Sequence, residues 1–148
     1  MSPLDRYSIL IIDALAQDGR IPISRLAKRI GLSKTPCQTR VKKLESDGYI
    51  KGYKAVIDHK KMGRDHVAFT QVSLSDTRVP ALEAFNTAVT KVAEVEECYM
   101  IASSFDYLLK IRSTNIDAYR RVLGESISSL PHVASTSTFV SMQAIKEH

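Results

Sequence analysis

The sequence lacks the features that mark secreted, membrane and most catalytic proteins. It has two cysteines, Cys37 and Cys98. They are far apart and both fall on expected secondary structure, so they read as buried thiols rather than a disulfide or a metal pair. No apolar run approaches the roughly 20 residues that span a bilayer. The run Ile9-Leu10-Ile11-Ile12 is too short for a secretory leader and is preceded by Asp5. A cytoplasmic protein with no membrane partner is expected. His59, His66, His132 and His148 have no Cys or acidic partner three or four residues away, so no metal site is expected. There is no G-x-G-x-x-G turn, no P-loop and no G-x-S-x-G nucleophile turn. Glu96 and Glu97 are adjacent on an expected strand, where neighbouring side chains face opposite sides and cannot form a catalytic dyad. With no catalytic constellation and no cofactor motif, the sequence is not read as an enzyme.

What is present is an apolar fraction of 44%, enough for one ordinary domain or two small ones, and an uneven charge. Residues 1–60 carry twelve Lys or Arg and six acids, a balance of +6. The remaining 88 residues balance at −1. A basic first part on a near-neutral second part suggests two jobs, one of them binding a polyanion.

The basic part reads as three helices. Residues 4–17 place Leu4, Tyr7, Ile11, Ile12 and Leu15 on one helical face, and Asp18-Gly19 stops the pattern. Residues 22–30 form a short second helix with Leu26, Ala27 and Ile30 inward. Gly31 suits the left-handed residue that ends it. Ser33 can cap the third helix with Pro36 inside its first turn, and Thr35 is a rival cap. Cys37, Val41 and Leu44 share one face, while Thr35, Gln38, Thr39 and Lys42 point away. Short helix, tight glycine turn and amphipathic helix make a helix-turn-helix, the arrangement that inserts a helix into a DNA groove. Residues 48–58 then change period and read as strands around Lys51-Gly52, a small wing.

Lys60-Lys61-Met62-Gly63-Arg64 is a hinge and the expected boundary, giving domains 1–60 and 61–148. Beyond it strands and helices alternate: strand 66–74, helix 79–92, strand 95–102, a turn at 103–106, strand 107–112, a helix to about Leu130, and strand 133–142. The order βαββαβ is the ferredoxin-like split unit, a four-stranded antiparallel sheet with both helices on one face. The fold class is therefore α+β, and the open sheet face needs a cover that a second copy of the chain would supply.

Several of these segments together resemble the Lrp/AsnC (feast/famine) family of prokaryotic transcription regulators. The resemblance rests on Leu4-Asp5-Arg6, Asp18-Gly19-Arg20, Leu26 through Ser33, Arg40-Val41-Lys42-Lys43-Leu44-Glu45, Gly48 through Tyr53, Phe105-Asp106-Tyr107-Leu108-Leu109 and Leu130-Pro131-His132-Val133. It spans nearly the whole chain. The stretches 119–125 and 136–140 are most similar to the leucine- and proline-responsive branch. The resemblance implies an N-terminal winged helix-turn-helix, a connecting strand, and a C-terminal domain that dimerises and binds small effectors, typically amino acids. It also implies homodimers that assemble further into octamers or discs.

On that basis Ser33, Lys34, Thr35, Gln38, Thr39, Lys42, Lys43 and Lys51 are expected to face double-stranded DNA. Met100, Ser103, Ser104, Phe105, Asp106, Tyr107, Thr136 and Thr138 are expected around an amino-acid effector such as leucine or proline. Asp106 is read either as a ligand to the effector ammonium or as an organiser of its loop. The bare residues offer a further reading, an Asp bonded within its own turn. The family usually has Gly at position 103 and often at 104, where this chain has serines, and often Pro at position 34, where it has Lys. The serines favour the alternative reading of a ligand-independent, nucleoid-type architectural DNA-binding protein.

Overall fold

The computed structural model describes residues 3–147. The chain divides into two compact units, Met1–Val56 and Ile57–His148. Of the calls made above, only that on His148 lies outside the described residues.

The first unit is built on α1 (Arg6–Gln17), α2 (Ile23–Ile30) and α3 (Lys34–Ser46). Asp5 caps α1: its backbone is extended and its carboxylate accepts the Ser8 N–H at 2.8 Å. Gly31 ends α2 in the left-handed region at φ 78°, and the Leu32 N–H reaches back to the Ala27 carbonyl at 2.9 Å. Ser33 takes the N-cap position of α3, although its hydroxyl makes no cap bond. Pro36 lies in the first turn, where no intrahelical N–H is lost. The core joins Ile11 and Ala14 of α1, Leu26, Ala27 and Ile30 of α2, and Cys37, Val41 and Leu44 of α3. On α2 and α3 these are the stripes that the 3.6-residue period marks; on α1 only Ile11 of the expected face is fully buried, Ala14 joins it, Leu4, Ile12 and Leu15 pack at the margin, and Tyr7 is exposed.

Residues 48–58 differ from expectation. Among the described residues no strand forms between α3 and His66. The segment is fastened to α3 instead: the Ile50 N–H donates to the Leu44 carbonyl at 3.1 Å and the Tyr53 hydroxyl donates to Glu45 at 2.8 Å. A two-stranded ribbon alone cannot bury its apolar side chains, and here Tyr53, Val56 and Ile57 are exposed.

The second unit contains β1 (His66–Leu74), α4 (Val79–Val89), β2 (Val95–Met100), β3 (Tyr107–Ser113), α5 (Ile116–Val122) and β4 (Val133–Val140). The strands form one antiparallel sheet in the order β2-β3-β1-β4. Asn115 caps α5 by accepting the Ala118 N–H at 2.8 Å. The helix does not continue regularly to Leu130: residues Leu123–Ile127 form a π turn, which brings Ile127 into the core. Both helices pack on one sheet face, where Ala68, Val72, Leu109 and Ile111 meet Phe85, Val89 and Tyr119. Thr70 is also buried there. Its hydroxyl lies 2.9 Å from that of Tyr119, which also contacts the Thr138 hydroxyl. The opposite face has no helix and exposes Phe69, Tyr99 and Phe139. The strict alternation expected at Glu96-Glu97 fails, because a bulge falls between Val95 and Glu97. Glu97 pairs in register with Lys110, and Glu96 turns to contact Arg112 and Lys110.

Candidate nucleic-acid interface and effector loop

The outer face of α3 follows from its inner one. With Cys37, Val41 and Leu44 buried, the helical period turns Thr35, Thr39 and Lys42 to the opposite side. Ser33, Lys34, Thr35, Gln38, Thr39, Lys42 and Lys43 are all exposed. Lys34, Gln38 and Lys42 have no ion-pair or side-chain hydrogen-bond partner among the described residues. Two ammonium groups and an amide are thus free for an external partner. Thr39 donates its hydroxyl proton to the Thr35 carbonyl at 3.1 Å, which leaves its lone pairs and methyl group outward. Lys43 differs, because its ammonium pairs with Asp47 at 2.8 Å, one helical turn on. That pairing raises its pKa. Lys51 is exposed on the segment that formed no strand.

One element of this interface was not read from the sequence. Arg40 flanks the buried stripe of α3, and its guanidinium pairs with the Asp5 carboxylate and lies 5.3 Å from the centre of the Tyr7 ring. Asp5 therefore caps α1 and ties it to α3. The Ser8 backbone N–H and the Arg40 guanidinium together hold its pKa down to about 2. The available signal was an Asp just before an apolar-periodic run, which marks a cap, but nothing local reveals a partner 35 positions away.

In the second unit, the loop between β2 and β3 exposes Ser103 and Ser104, with Phe105 and Asp106 half-buried. Asp106 knits three strands together. Its N–H donates to the Val72 carbonyl at 2.9 Å, and its carbonyl accepts the Ile101 N–H at 2.8 Å. Its carboxylate accepts the Leu74 N–H at 2.7 Å, at the bulge where β1 shifts register against β4. The carboxylate reaches a neighbouring strand rather than its own turn. One carboxylate oxygen is occupied, and the loop is anchored by the other strand contacts.

Tyr107 is buried, stacked on Phe85 with ring centres 4.2 Å apart, and its hydroxyl donates to Asn86 at 2.6 Å. It forms the floor behind the loop. The remaining candidates do not converge within one chain. Met100 pairs with Tyr107, which pairs with Val72, which pairs with Thr136. Met100 and Thr136 thus lie on opposite edge strands, roughly 14 Å apart at about 4.8 Å per strand. Thr138 lies on the helix side, engaged with Tyr119. Met100 and residues 103–107 form one cluster; Thr136 and Thr138 stand apart from it.

Among the described residues no group of three metal-ligating side chains forms, and no helix is long and apolar enough to cross a membrane.

Comparison with known proteins matches both units. Residues 4–51 fit the winged helix-turn-helix DNA-binding model, and residues 67–148 fit the Lrp/AsnC ligand binding domain. The chain is 61% identical over 144 residues to a proline dehydrogenase transcriptional activator of Rhizobium radiobacter, covering 97% of this chain and 92% of that one. It is 42% identical to the leucine-responsive regulatory protein of Escherichia coli, covering 97% and 88%. A transcriptional regulator from Neisseria meningitidis, solved as a complex with L-Met, superposes with a TM-score of 0.90 at 29% identity, covering 98% and 94%.

Proposed function

The chain belongs to the Lrp/AsnC family of transcription regulators, and from that premise we propose how its two units divide the task. It is a DNA-binding regulator with a ligand-binding C-terminal unit; the residue assignments and the effector are our reading. Residues 1–60 are the DNA reader. Gln38 contacts a base edge, Thr39 contacts a thymine methyl or a phosphate, and Lys34 and Lys42 neutralise phosphates, with Ser33, Thr35, Lys43 and Lys51 at the margins. The observation that carries this is the unpaired polar face of α3 set back to back with a fully buried one.

Residues 61–148 are the effector and assembly domain. A small amino acid, leucine or proline, binds against Met100 and residues 103–107. The exposed Phe69, Tyr99 and Phe139 are covered by a second copy, and dimers assemble further, to octamers. A dimer presents two reading helices to half-sites about one DNA turn, or a multiple, apart. The effector acts by binding one assembly geometry more tightly than another. The setting is the cytoplasm, on the nucleoid.

Titrating the protein against operator and random DNA at several salt concentrations, with and without leucine or proline, tests both halves. Operator preference that shifts with the amino acid supports the proposal; equal affinity for both DNAs refutes the reading role of α3. Ser103 and Ser104 support the ligand-independent architectural alternative. That alternative requires calorimetry with a panel of amino acids to give no heat and no change in DNA binding.

A further inference from the structure

The last strand of the sheet has a free edge. In the order β2-β3-β1-β4 only one side of β4 is paired. Two bonds of β1 fix the direction of its backbone groups. The Val72 carbonyl accepts the Asp106 N–H from the β3 side, and the Val67 carbonyl accepts the Ser141 N–H from the β4 side, both at 2.9 Å. Bonding direction alternates along an antiparallel strand, so the even-numbered residues of β1 bond towards β3 and the odd-numbered ones towards β4. Ser135, Ser137 and Phe139 lie opposite Ser73, Gln71 and Phe69, and their backbone groups bond to β1. Thr136, Thr138 and Val140 lie opposite Val72, Thr70 and Ala68, and turn their N–H and C=O groups outward. Among the described residues no backbone bond meets those outward groups.

The opposite edge is guarded, and this one is bare. β2 has a bulge between Val95 and Glu97 and carries the carboxylates of Glu96 and Glu97. Bulges and edge charges discourage the addition of a further strand. β4 has no charged residue, proline or glycine, and its one irregularity lies at Ala134, where the register against β1 shifts. Residues 135–140 are regular, and Thr136, Thr138, Phe139 and Val140 favour an extended backbone. The chain beyond β4 leaves the edge uncovered. Residues 141–147 turn back across the helix-free face, where Glu147 accepts from Arg112 Nη2 at 2.9 Å and from Lys110 Nζ at 2.7 Å.

We propose, resting on the assembly read above, that this edge pairs antiparallel with the same edge of a second copy and so joins one dimer to the next. The copy that covers Phe69, Tyr99 and Phe139 stacks on a face, whereas edge bonds lie in the plane of the sheet. The two contacts therefore coexist and use different copies. A two-fold contact sets the strand against its own reverse, where any charge would face a like charge; β4 carries none. Pairing centred on Thr138 sets Thr138 against Thr138 and Thr136 against Val140. That register matches β-branched side chains with one another and engages all three outward residues, closing about six backbone bonds. The Thr138 side chain is already held by the Tyr119 hydroxyl, so the central residue is ordered before pairing. A foreign strand would meet the same backbone groups, but the self-match of residues 136–140 and the lack of any charge to select another partner favour the copy.

The test is the size of the full chain over a concentration series, read by sedimentation velocity and light scattering, with circular dichroism confirming that each variant is folded. The native chain forms assemblies larger than dimers. Val140→Pro removes one outward N–H from each copy and no bond to β1. It leaves the dimer intact and raises the concentration for half-assembly about 30-fold, the product of two lost bonds. Val140→Lys keeps the N–H but charges the edge, has the same effect, and serves if the proline variant folds poorly. On oxidation Thr138→Cys forms a 138–138 disulfide between dimers, found by peptide mapping, because opposed residues of a bonded pair stand about 5.5 Å apart at Cα. Larger assemblies that survive both Val140 variants overturn the edge contact and leave the assembly reading standing. A native chain that stops at the dimer overturns both, and a native monomer overturns the face cover as well. Assemblies that dissolve in both variants yet give no 138–138 disulfide overturn the Thr138 register.

Discussion

Replacing Asp106 separates its two possible roles, holding the loop and binding the effector. Its carboxylate accepts the Leu74 N–H at 2.7 Å, and Leu74 is buried at the register shift between β1 and β4. Asp106→Ala leaves that N–H without an acceptor. Hydrogen bonds to a charged group contribute about 1.5–3 kcal/mol, and stranding a buried donor costs about 1–3 kcal/mol. A loss of about 2 kcal/mol follows for the second unit, which at about 4–8 °C per kcal/mol lowers its melting midpoint by roughly 10 °C. Asp106→Asn keeps a carbonyl oxygen in the same place and forfeits only the charge assistance, so about 1 kcal/mol is lost. Thermal melts followed by circular dichroism give the global figures, and hydrogen exchange at the Leu74 amide gives the local one. Protection there should fall about 30-fold in the Ala variant and about fivefold in Asn. If both variants leave Leu74 protection unchanged, the anchoring argument is wrong. Amino-acid binding by calorimetry supplies the second axis. If Asp106→Asn binds the effector normally, the residue positions the loop; if binding is lost while Leu74 stays protected, Asp106 contacts the ammonium.

Five further variants have expected outcomes. Lys42→Ala should weaken binding to all DNA sequences and reduce the slope of log K against log salt by about 1. Lys43→Ala should change that slope less, since its ammonium already pairs with Asp47; equal slopes from the two variants would contradict the pairing argument. Gln38→Ala should flatten preference at one base pair of the operator in a competition assay, costing about 1–3 kcal/mol of discrimination there, and a loss spread evenly over the site would refute its base-reading role. Gly31→Ala meets no neighbouring atom but forces a Cβ into φ 78°, so chemical denaturation should show the first unit about 1 kcal/mol less stable. Asp5 has its pKa lowered to about 2 in the folded chain against an ordinary value near 3.8. Its contribution is therefore complete above about pH 4 and is lost as pH falls towards 2. Asp5→Asn should remove that part of the acid transition, read by fluorescence or circular dichroism of the first unit.

Most of the architecture was legible because it rests on local periodicity. Cys37, Val41 and Leu44 recur at helical spacing, so both the buried and the free face of α3 could be read from residue order. The alternation through β1 and the Gly31 turn are equally local, since they depend on backbone conformation and on which side chains must leave water. The outer residues of α3 follow at once, because whatever is not buried on a short amphipathic helix is offered outward. The winged helix-turn-helix class holds, but residues 48–58 form no strand: their side chains are β-forming, while a ladder needs a partner strand and a covering layer that this unit does not supply.

What depends on distant encounters was left to the tertiary structure. The Asp5–Arg40 tie, the reach of Asp106 to Leu74, and the clamp of Glu147 on Lys110 and Arg112 join residues 35, 32 and 35–37 positions apart. No periodicity encodes such pairs; they form because the sheet order β2-β3-β1-β4 and the packing of α1 on α3 bring their backbones together. The bulge at Glu96 belongs with them, because register is settled by the partner strand and not by the sequence of one strand alone. The sequence by itself thus decided the helix-turn-helix and the fold that follows it. Only the tertiary structure decided which charges are free to meet a partner, because freedom is the absence of a neighbour, and neighbours are assigned by the fold.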